Sequence, residues 1–385
     1  MVSERAQRTT PFAAMDVLER ANRMDDVIHL EVGEPDFETP APVTETAIAA
    51  LRAGETGYTS SKGKPELRRA IADYYDRRYG VDVDPARIVV TSGSSPALLL
   101  AFSALVDPGD EVVLTDPHYA CYPNFVRQTG GRTSTVPLSA DDGFRPRVDA
   151  FERVVDADTE ALLLNSPANP TGAVLDGSTL GELVELAGAN DATVVSDEVY
   201  HGLTYEGEDH TALEYTDEAF VLDGVSKRFA MTGWRLGWMV APPEYVGHVN
   251  RIAQNILICA PNFVQSAGIA ALESAAGYLD DVRETYRQRR DFLVEEVEKW
   301  GLSRGYTPGG AYYLLVDVSD LPGDAFDAAD FFLETAGVAT TPGPDFGANA
   351  RECLRVSYAN SAENLAAASE RIQEALADVE PLTAD

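Results

Sequence analysis

The chain has 385 residues, of which 45% are hydrophobic, so it is long enough to bury a sizeable core and to divide into a large and a small domain. Its 63 acidic and 30 basic residues give a formal net charge of −33, which excludes a surface suited to nucleic acid or anionic membranes. Residues 1–10 are polar and no apolar run reaches the ~18 residues of a membrane span, so we expect a cytoplasmic protein without a secretion signal.

The acidic bias comes with a shortage of lysine. Only four lysines occur, at Lys62, Lys64, Lys227 and Lys299. This bias resembles that of halophilic proteins, whose carboxylates hold water and counterions, although an ordinary acidic protein is the alternative. Because molar salt screens charges beyond ~3 Å, we expect the fold to need high salt. The three cysteines are scattered without metal-ligand spacing, so we expect no disulfide bond and no metal site.

Two segments precede the first predicted strand. Within residues 5–24, apolar positions recur at helical spacing at Met15, Leu18 and Ala21 and predict a short amphipathic helix or arm. Residues 32–40 read VGEPDFETP, and this concentration of turn-forming residues predicts a loop.

Five short apolar segments, separated by helix-length stretches, predict a mostly parallel sheet covered by helices on both faces. They lie at residues 87–90, 111–115, 161–165, 193–196 and 219–224. Crossover connections place the loops that follow parallel strands at one edge of the sheet, where α/β proteins bind ligands. The sequence therefore predicts an α/β fold with a ligand site at this edge.

Distinctive polar residues occupy those loops. In chain order they are Gly93, Ser94 and Ser95, then Tyr119, then Asn169, then Asp197 and Tyr200, and finally Ser226 and Lys227. A long helix at about 279–300 then leads to two further predicted strands, at 311–318 and 353–359. We expect an N-terminal arm with part of a small domain at 1–42, a large domain at 43–280 and a C-terminal small domain at 281–385.

The strongest signature begins at Ser226 and reads SKRFAMTGWRLG, with Arg235 eight residues after Lys227. On this motif, and on the pattern of nearly the whole chain, the sequence resembles the fold-type I, class I/II aminotransferases of the aspartate aminotransferase type. The resemblance implies the PLP-transferase fold, with a mostly parallel seven-stranded sheet between helices and a smaller α+β domain. It also implies pyridoxal 5′-phosphate (PLP) as the cofactor.

The resemblance assigns Lys227 to the covalent bond with the cofactor aldehyde and to later proton transfers, which require an amine that loses its proton readily. Ser226 precedes it as a further cofactor contact. Arg235 matches the arginine that binds the cofactor phosphate with a fork of donors. The start of a predicted helix offers backbone donors to the same phosphate, although this pattern is also an ordinary helix cap. The residues of that helix start are Gly93, Ser94 and Ser95.

The remaining cofactor contacts surround its ring. Asp197 matches the carboxylate that keeps the pyridine nitrogen protonated, which makes the ring an electron sink, although capping of a following helix is an alternative role. Tyr200 and Asn169 match donors to the phenolic oxygen of the ring. Tyr119 matches the aromatic side chain that stacks on the ring, and an ordinary core tyrosine is the alternative.

The resemblance also implies a homodimer with shared active sites and a binding site for the substrate carboxylate. Tyr58 matches a tyrosine that reaches the cofactor phosphate of the neighbouring subunit. Arg355 matches the arginine that pairs bidentately with the substrate α-carboxylate. Gly33, in the loop at 32–40, matches a backbone group that closes over this carboxylate, and Asn169 contributes from the cofactor side.

The implied activity is a ping-pong transfer of an amino group between an L-amino acid and a 2-oxo acid, with glutamate and 2-oxoglutarate as one pair. The partner stays open between aspartate-type, aromatic, branched and alanine-type substrates, because Phe12 faces the expected side-chain pocket and no second cation is evident. A PLP-dependent β-lyase or synthase on the same fold is the main alternative. A non-enzymatic PLP-binding regulator is the other, and it lacks support because no DNA-binding module accompanies this pattern.

Overall fold

The fold is built around a seven-stranded sheet of order β2-β8-β7-β6-β5-β3-β4. The computed structural model of the chain describes residues 2–274 and 276–377. The strands are β1 (Ile28–His29), β2 (Ile88–Thr91), β3 (Glu111–Asp116), β4 (Arg132–Pro137), β5 (Thr159–Asn165), β6 (Thr193–Asp197), β7 (Phe220–Gly224), β8 (Gly237–Val240), β9 (Tyr313–Asp317), β10 (Val338–Ala339), β11 (Thr341–Pro342) and β12 (Cys353–Ser357). Within the large sheet only β8 runs antiparallel to its neighbours. The expected seven-stranded, mostly parallel sheet is thereby confirmed.

The five predicted strands correspond to β2, β3, β5, β6 and β7, with ends displaced by no more than two residues. Their residues are almost entirely buried because helices cover both faces of the sheet. The sequence did not predict β4 or β8. Strand β4 lies at the sheet edge with largely exposed polar side chains, so it shows no apolar run. Strand β8 is a four-residue segment that directly follows the Arg235 motif.

The chain forms helices on both faces of this sheet and in its N- and C-terminal parts. They are α1 (Glu4–Arg8), α2 (Ala13–Ala21), α3 (Ala41–Arg52), α4 (Pro65–Tyr79), α5 (Ser94–Leu105), α6 (Tyr122–Thr129), α7 (Val148–Phe151), α8 (Gly177–Ala189), α9 (Val246–Ile256), α10 (Asn262–Ser274), α11 (Ala276–Lys299), α12 (Ala325–Phe331) and α13 (Ala362–Leu376). One apolar core joins the sheet to α5, α6 and α9, and the other joins it to α4, α8 and α10. Across residues 2–274 and 276–377, no helix combines the length and the apolar character needed to cross a membrane.

The C-terminal part of the chain forms a second, three-stranded antiparallel sheet of order β11-β12-β9. The strands predicted at 311–318 and 353–359 correspond to β9 and β12, and the helix predicted at about 279–300 corresponds to α11. Strand β1 pairs in parallel with β10, which joins the N-terminal segment to this part. The division into 1–42, 43–280 and 281–385 stays a prediction, and residues 1 and 378–385 lie outside the described range.

The N-terminal segment forms two helices, α1 and α2, which are interrupted around Pro11, a residue that has no backbone N–H and restricts the residue before it. Helix α2 is a short amphipathic helix, as the spacing predicted, and Ala21 is buried. Its buried face differs in part from the predicted one, because Met15 is 49% exposed and Leu18 is only partly buried, whereas Val17 is buried towards the C-terminal part. The loop predicted at 32–40 is confirmed.

Candidate active site

A cavity of about 210 Å³ opens at the carboxyl ends of the parallel strands, where the sequence predicted a ligand site. All of the predicted site residues except Gly93 and Tyr58 line it. These are Gly33, Ser94, Ser95, Tyr119, Asn169, Asp197, Tyr200, Ser226, Lys227, Arg235 and Arg355. Residues from distant parts of the chain, including the C-terminal sheet, therefore meet in one place.

Lys227 lies in a tight turn directly after β7. The turn is closed by two backbone hydrogen bonds, from the Phe229 N–H to the Val225 carbonyl at 3.2 Å and from the Met231 N–H to the Ser226 carbonyl at 3.1 Å. The Lys227 Nζ donates to the carbonyl of Gly33 at 2.8 Å. Among the described residues it is the one lysine that lines the cavity. The geometry thus presents a single primary amine to whatever occupies this space.

Asp197 ends β6 and is buried, at 4% exposure. The Tyr122 hydroxyl donates to its Oδ2 at 2.8 Å and the Val199 N–H to its Oδ1 at 3.3 Å. Burial raises the pKa of Asp197 to about 6, and these hydrogen bonds together with the charge of Lys227 oppose the shift. No ion pair reaches Asp197 from the described residues, so a cation at its free acceptor positions would offset the cost of burying it.

Another part of the cavity lining, at the start of α5, has the features of an anion site. Helix α5 begins at Ser94 and runs for 12 residues, and its first N–H groups have no partners within the helix. Arg235 has a left-handed backbone, at φ 57°, and its guanidinium lies against Gly93. A Cβ atom on Gly93 would be 2.5 Å from Arg235 Nη2, and Gly93 itself has φ 98°. Gly93 therefore lies outside the cavity lining but allows Arg235 to approach the helix start.

Tyr119 is held between other aromatic rings at one wall of the cavity. Its ring is perpendicular to that of Phe12, with centroids 6.0 Å apart, and to that of Tyr122, with centroids 5.3 Å apart. These contacts fix the plane of the Tyr119 ring. Phe12 itself lines the cavity, as the sequence predicted for the side-chain pocket.

Arg355 lies in β12 and is 2% exposed. Its guanidinium carbon lies 4.5 Å from the centroid of the Tyr313 ring and 4.8 Å from that of Phe346. It donates to Asn169 Oδ1 at 3.1 Å and to the Glu31 carbonyl, while its Nε has no partner. No carboxylate of the described residues forms an ion pair with Arg355, so its buried charge is available to a carboxylate ligand.

Sequence reasoning missed several tyrosines and Asn165. Besides Tyr122, the hydroxyl of Tyr313 bonds with that of Tyr200 at 2.9 Å, and Tyr312 donates to the Gly33 carbonyl at 3.0 Å. The spacing of Tyr122, three residues after Tyr119 at the start of a helix, was a signal that the two face the same side. Asn165 holds two strand ends together, because it donates to the Asp197 carbonyl at 2.8 Å and accepts from the Asn169 N–H at 2.9 Å.

Tyr58 is the predicted site residue that the single chain does not bring to the cavity. Its side chain is 84% exposed. The next residue is anchored, since the Thr59 N–H lies 3.4 Å from Cys259 Sγ and the Thr59 hydroxyl accepts from Gln265 at 2.9 Å. A backbone anchored at Thr59 thus carries an exposed tyrosine that does not line the cavity of its own chain.

Taken together, these groups match the chemistry of PLP. The cofactor has an aldehyde for the amine of Lys227, a phosphate for the start of α5 and Arg235, a flat ring for Tyr119 and a basic ring nitrogen for the buried Asp197. The buried carboxylate of Asp197 forms no ion pair with the described residues, and it therefore suits a ligand with a basic ring nitrogen. This feature distinguishes PLP from an ordinary phosphorylated ligand.

Comparisons with known proteins agree with this reading of the cavity. The family model described as aminotransferase class I and II matches residues 25–372. The chain is 39% identical to the aspartate/prephenate aminotransferase of Thermus thermophilus over 97% of this chain and 98% of that protein. It is 36% identical to the (5-formylfuran-3-yl)methyl phosphate transaminase of Methanocaldococcus jannaschii over 98% of this chain and 100% of that protein. The solved structure of aspartate aminotransferase from Thermus thermophilus with maleate superposes with a TM-score of 0.94 at 38% identity, covering 97% of this chain and 99% of that one.

Proposed function

Because this chain belongs to the class I and II aminotransferase family, we propose that Lys227 binds the cofactor covalently and transfers the protons of the reaction. The enzyme moves an amino group between an amino acid and a 2-oxo acid and depends on PLP. The observation that carries the proposal is the position of Lys227, which lines the same cavity as the buried Asp197 and Arg235. The β-lyase or synthase and the regulator have no observation in their favour.

PLP supplies an aldehyde that takes up amino groups and a protonated ring that withdraws electrons from the bond being broken. Asp197, whose carboxylate Tyr122 orients, would hold the proton on the ring nitrogen. Tyr200 and Asn169 would donate to the ring oxygen, and the amide nitrogen of Asn169 is suited to this because its Oδ1 already accepts from Arg355. Tyr119 would support the ring face. The phosphate group is assigned to Gly93, Ser94, Ser95, Ser226 and Arg235.

Arg355 and the backbone of Gly33 bind the α-carboxylate of the substrate. The guanidinium is desolvated between two rings and already oriented by its bonds to Asn169 and to the Glu31 carbonyl, so little entropy is lost when a carboxylate binds. With the carboxylate fixed, Lys227 would act as the base that takes the proton from the substrate Cα and would hold it for return. The bound cofactor would supply the electron sink that makes this proton removable, and water would release the 2-oxo acid.

We propose glutamate and 2-oxoglutarate as one substrate pair, while the other pair stays open between aspartate-type, aromatic and alanine-type substrates. The similar Thermus thermophilus proteins are named for aspartate and prephenate, and one was solved with maleate, a dicarboxylate. A similar protein from Pseudomonas aeruginosa is named arginine–pyruvate transaminase. Among the described residues, the cations that line the cavity are Lys227, Arg235 and Arg355, and Phe12 closes the side-chain end.

We further propose a homodimer in which Tyr58 completes the phosphate site of the partner subunit. Its exposed side chain on an anchored backbone supports this role, because such a side chain is already oriented for an external partner. Each active site would then need both chains, and a monomer would be inactive.

We propose a salt-adapted, cytoplasmic protein of two domains, from the composition of the chain and the pairing of its strands. A charge of −33 supports a halophilic protein whose melting temperature rises between dilute buffer and molar KCl, and an unchanged temperature would contradict this. Three free cysteines support the cytoplasm. The pairing of β1 with β10 supports the assignment of residues 1–42 to an N-terminal arm and part of the small domain. Residues 43–280 would form the large domain and residues 281–385 the rest of the small domain.

The experiment that tests the proposed function is a single-turnover screen of amino acids with the purified, cofactor-loaded enzyme. Transamination predicts one 2-oxo acid for each active site and no ammonia. Release of ammonia with pyruvate would instead indicate a β-lyase. The Lys227→Ala variant should retain cofactor without the covalent bond and lose nearly all turnover, and near-normal turnover of this variant would contradict the proposed role.

A further inference from the structure

A buried ion pair lies directly behind the Lys227 turn. Asp223 stands near the end of β7 and Arg228 immediately follows Lys227, and the two side chains are 1% and 0% exposed. Their charged groups form an ion pair, which links the residue four positions before Lys227 to the residue directly after it. Neither residue lines the cavity. The pair therefore restrains the turn from the protein interior, whereas Lys227 faces the cavity.

Further contacts immobilise the Arg228 guanidinium. Its Nε and Nη2 donate to the Gly224 carbonyl at 3.3 and 3.1 Å, and its Nη1 donates to the Tyr74 hydroxyl. The guanidinium carbon lies 5.0 Å from the centroid of the Tyr74 ring and 5.9 Å from that of Trp238. The planar fork thus binds the last residue of β7 and the helix α4 at once, a geometry that lysine cannot reproduce.

The free energy of burying two charges indicates that stability alone does not explain this pair. Taking two charges out of water costs several kcal/mol each, and an apolar pair of similar volume is often equally stable. Burial accordingly raises the pKa of Asp223 to about 6, although the charge of Arg228 opposes the shift. What the ion pair provides and an apolar pair lacks is a fixed geometry between Asp223, Gly224 and Arg228.

We propose that the Asp223–Arg228 pair is a positioning element that fixes the turn from which Lys227 reaches the cofactor. This inference rests on the role of Lys227 proposed above. A reacting group displaced by ~1 Å can lose on the order of 10²-fold in rate, so an element that restrains this turn has a direct effect on turnover. The amide hydrogens of Phe229 and Met231, which close the turn, report on the restraint itself.

The test removes both charges together, with Asp223→Asn and Arg228→Met, so that no unpaired charge stays buried. Amide hydrogen exchange of the cofactor-free protein is followed in peptides that contain Phe229 and Met231. We expect exchange there to accelerate by on the order of tenfold. The control is an Arg–Asp pair that lies just before the amino-terminal ends of β2 and β7, away from the Lys227 turn, altered by Arg87→Met and Asp217→Asn. Unlike Asp223, Asp217 is largely exposed, so this control tests the loss of an ion pair elsewhere in the fold. It should leave exchange at the Lys227 turn unchanged.

In the cofactor-loaded double variant, kcat should fall by about 10²-fold while KM for the amino acid changes little, because the Arg355 site is untouched. Exchange at the Lys227 turn equal to that of the parent, or equal acceleration in the control, would overturn the proposal. If the double variant does not fold, Arg228→Lys carries the same measurement, because it keeps the charge and loses the fork to Gly224. Failure of Lys227 to react with the cofactor would instead refute the proposed function, which separates the two outcomes.

Discussion

Replacement of Gly93 by alanine tests the architecture of the proposed phosphate site. The added Cβ would lie 2.5 Å from Arg235 Nη2, whereas non-bonded heavy atoms rest at about 3.5–4.0 Å. Arg235 must therefore retreat by about 1 Å or the backbone must move. Either change pulls the guanidinium from the start of α5, and loss of one charged hydrogen bond costs about 1.5–3 kcal/mol. We expect the cofactor dissociation constant to rise by about 10- to 100-fold.

The matched control is Gly109→Ala. Gly109 has φ 103°, close to the 98° of Gly93, but a Cβ there meets nothing within 4 Å. Both variants place an alanine at a positive φ, which costs on the order of 1–3 kcal/mol, and only Gly93→Ala disturbs Arg235. Cofactor affinity is measured by titrating the apoprotein with PLP and following absorbance. Equal affinities of the two variants would refute the assignment of Gly93 and Arg235 to the phosphate.

Other predictions address the ring nitrogen, the substrate carboxylate and the dimer. Burial raises the pKa of Asp197 to about 6, so ionisation above this pH destabilises the cofactor-free protein. Asp197→Asn should therefore have a higher free energy of unfolding than the parent at pH 8, by up to about 3 kcal/mol, and the difference should vanish near pH 4. A difference independent of pH would contradict this. Arg355→Lys should raise KM for the amino acid by about 10- to 100-fold with a smaller change in kcat, since lysine lacks the planar fork, and an unchanged KM would remove Arg355 from the carboxylate site. Hybrid dimers of Tyr58→Ala and Lys227→Ala chains should regain about half of the parent activity, because one of the two sites is then intact; inactive hybrids would contradict the shared site.

Much of the fold was predictable because its signals are local. The buried strands β5 and β7 are continuous apolar runs, and such runs need no knowledge of the partner strand. The edge strand β4 carries polar, exposed residues and owes its structure to pairing with β3, which no local pattern reveals. The buried face of α2 was only partly predicted for the same reason: Ala21 is buried as expected, but the C-terminal part covers Val17 and leaves Met15 exposed.

The same distinction applies to the candidate site. The residues around Lys227 were found because they follow strands and belong to a contiguous motif. The contact between Tyr122 and Asp197 joins residues 75 positions apart, and that between Tyr200 and Tyr313 joins residues 113 apart. Since tyrosine is also a common core residue, only the folded structure shows that these hydroxyls meet at the cavity.

The central claim is that the amine of Lys227 is the cofactor attachment point. Borohydride reduction of the cofactor-loaded enzyme makes this bond permanent, and mass spectrometry of the peptides then locates the label. The chain offers four lysines, Lys62, Lys64, Lys227 and Lys299, so the assignment is unambiguous. We expect stoichiometric label on the peptide that contains Lys227. Label on another lysine, or reduced protein that carries no cofactor, would contradict it.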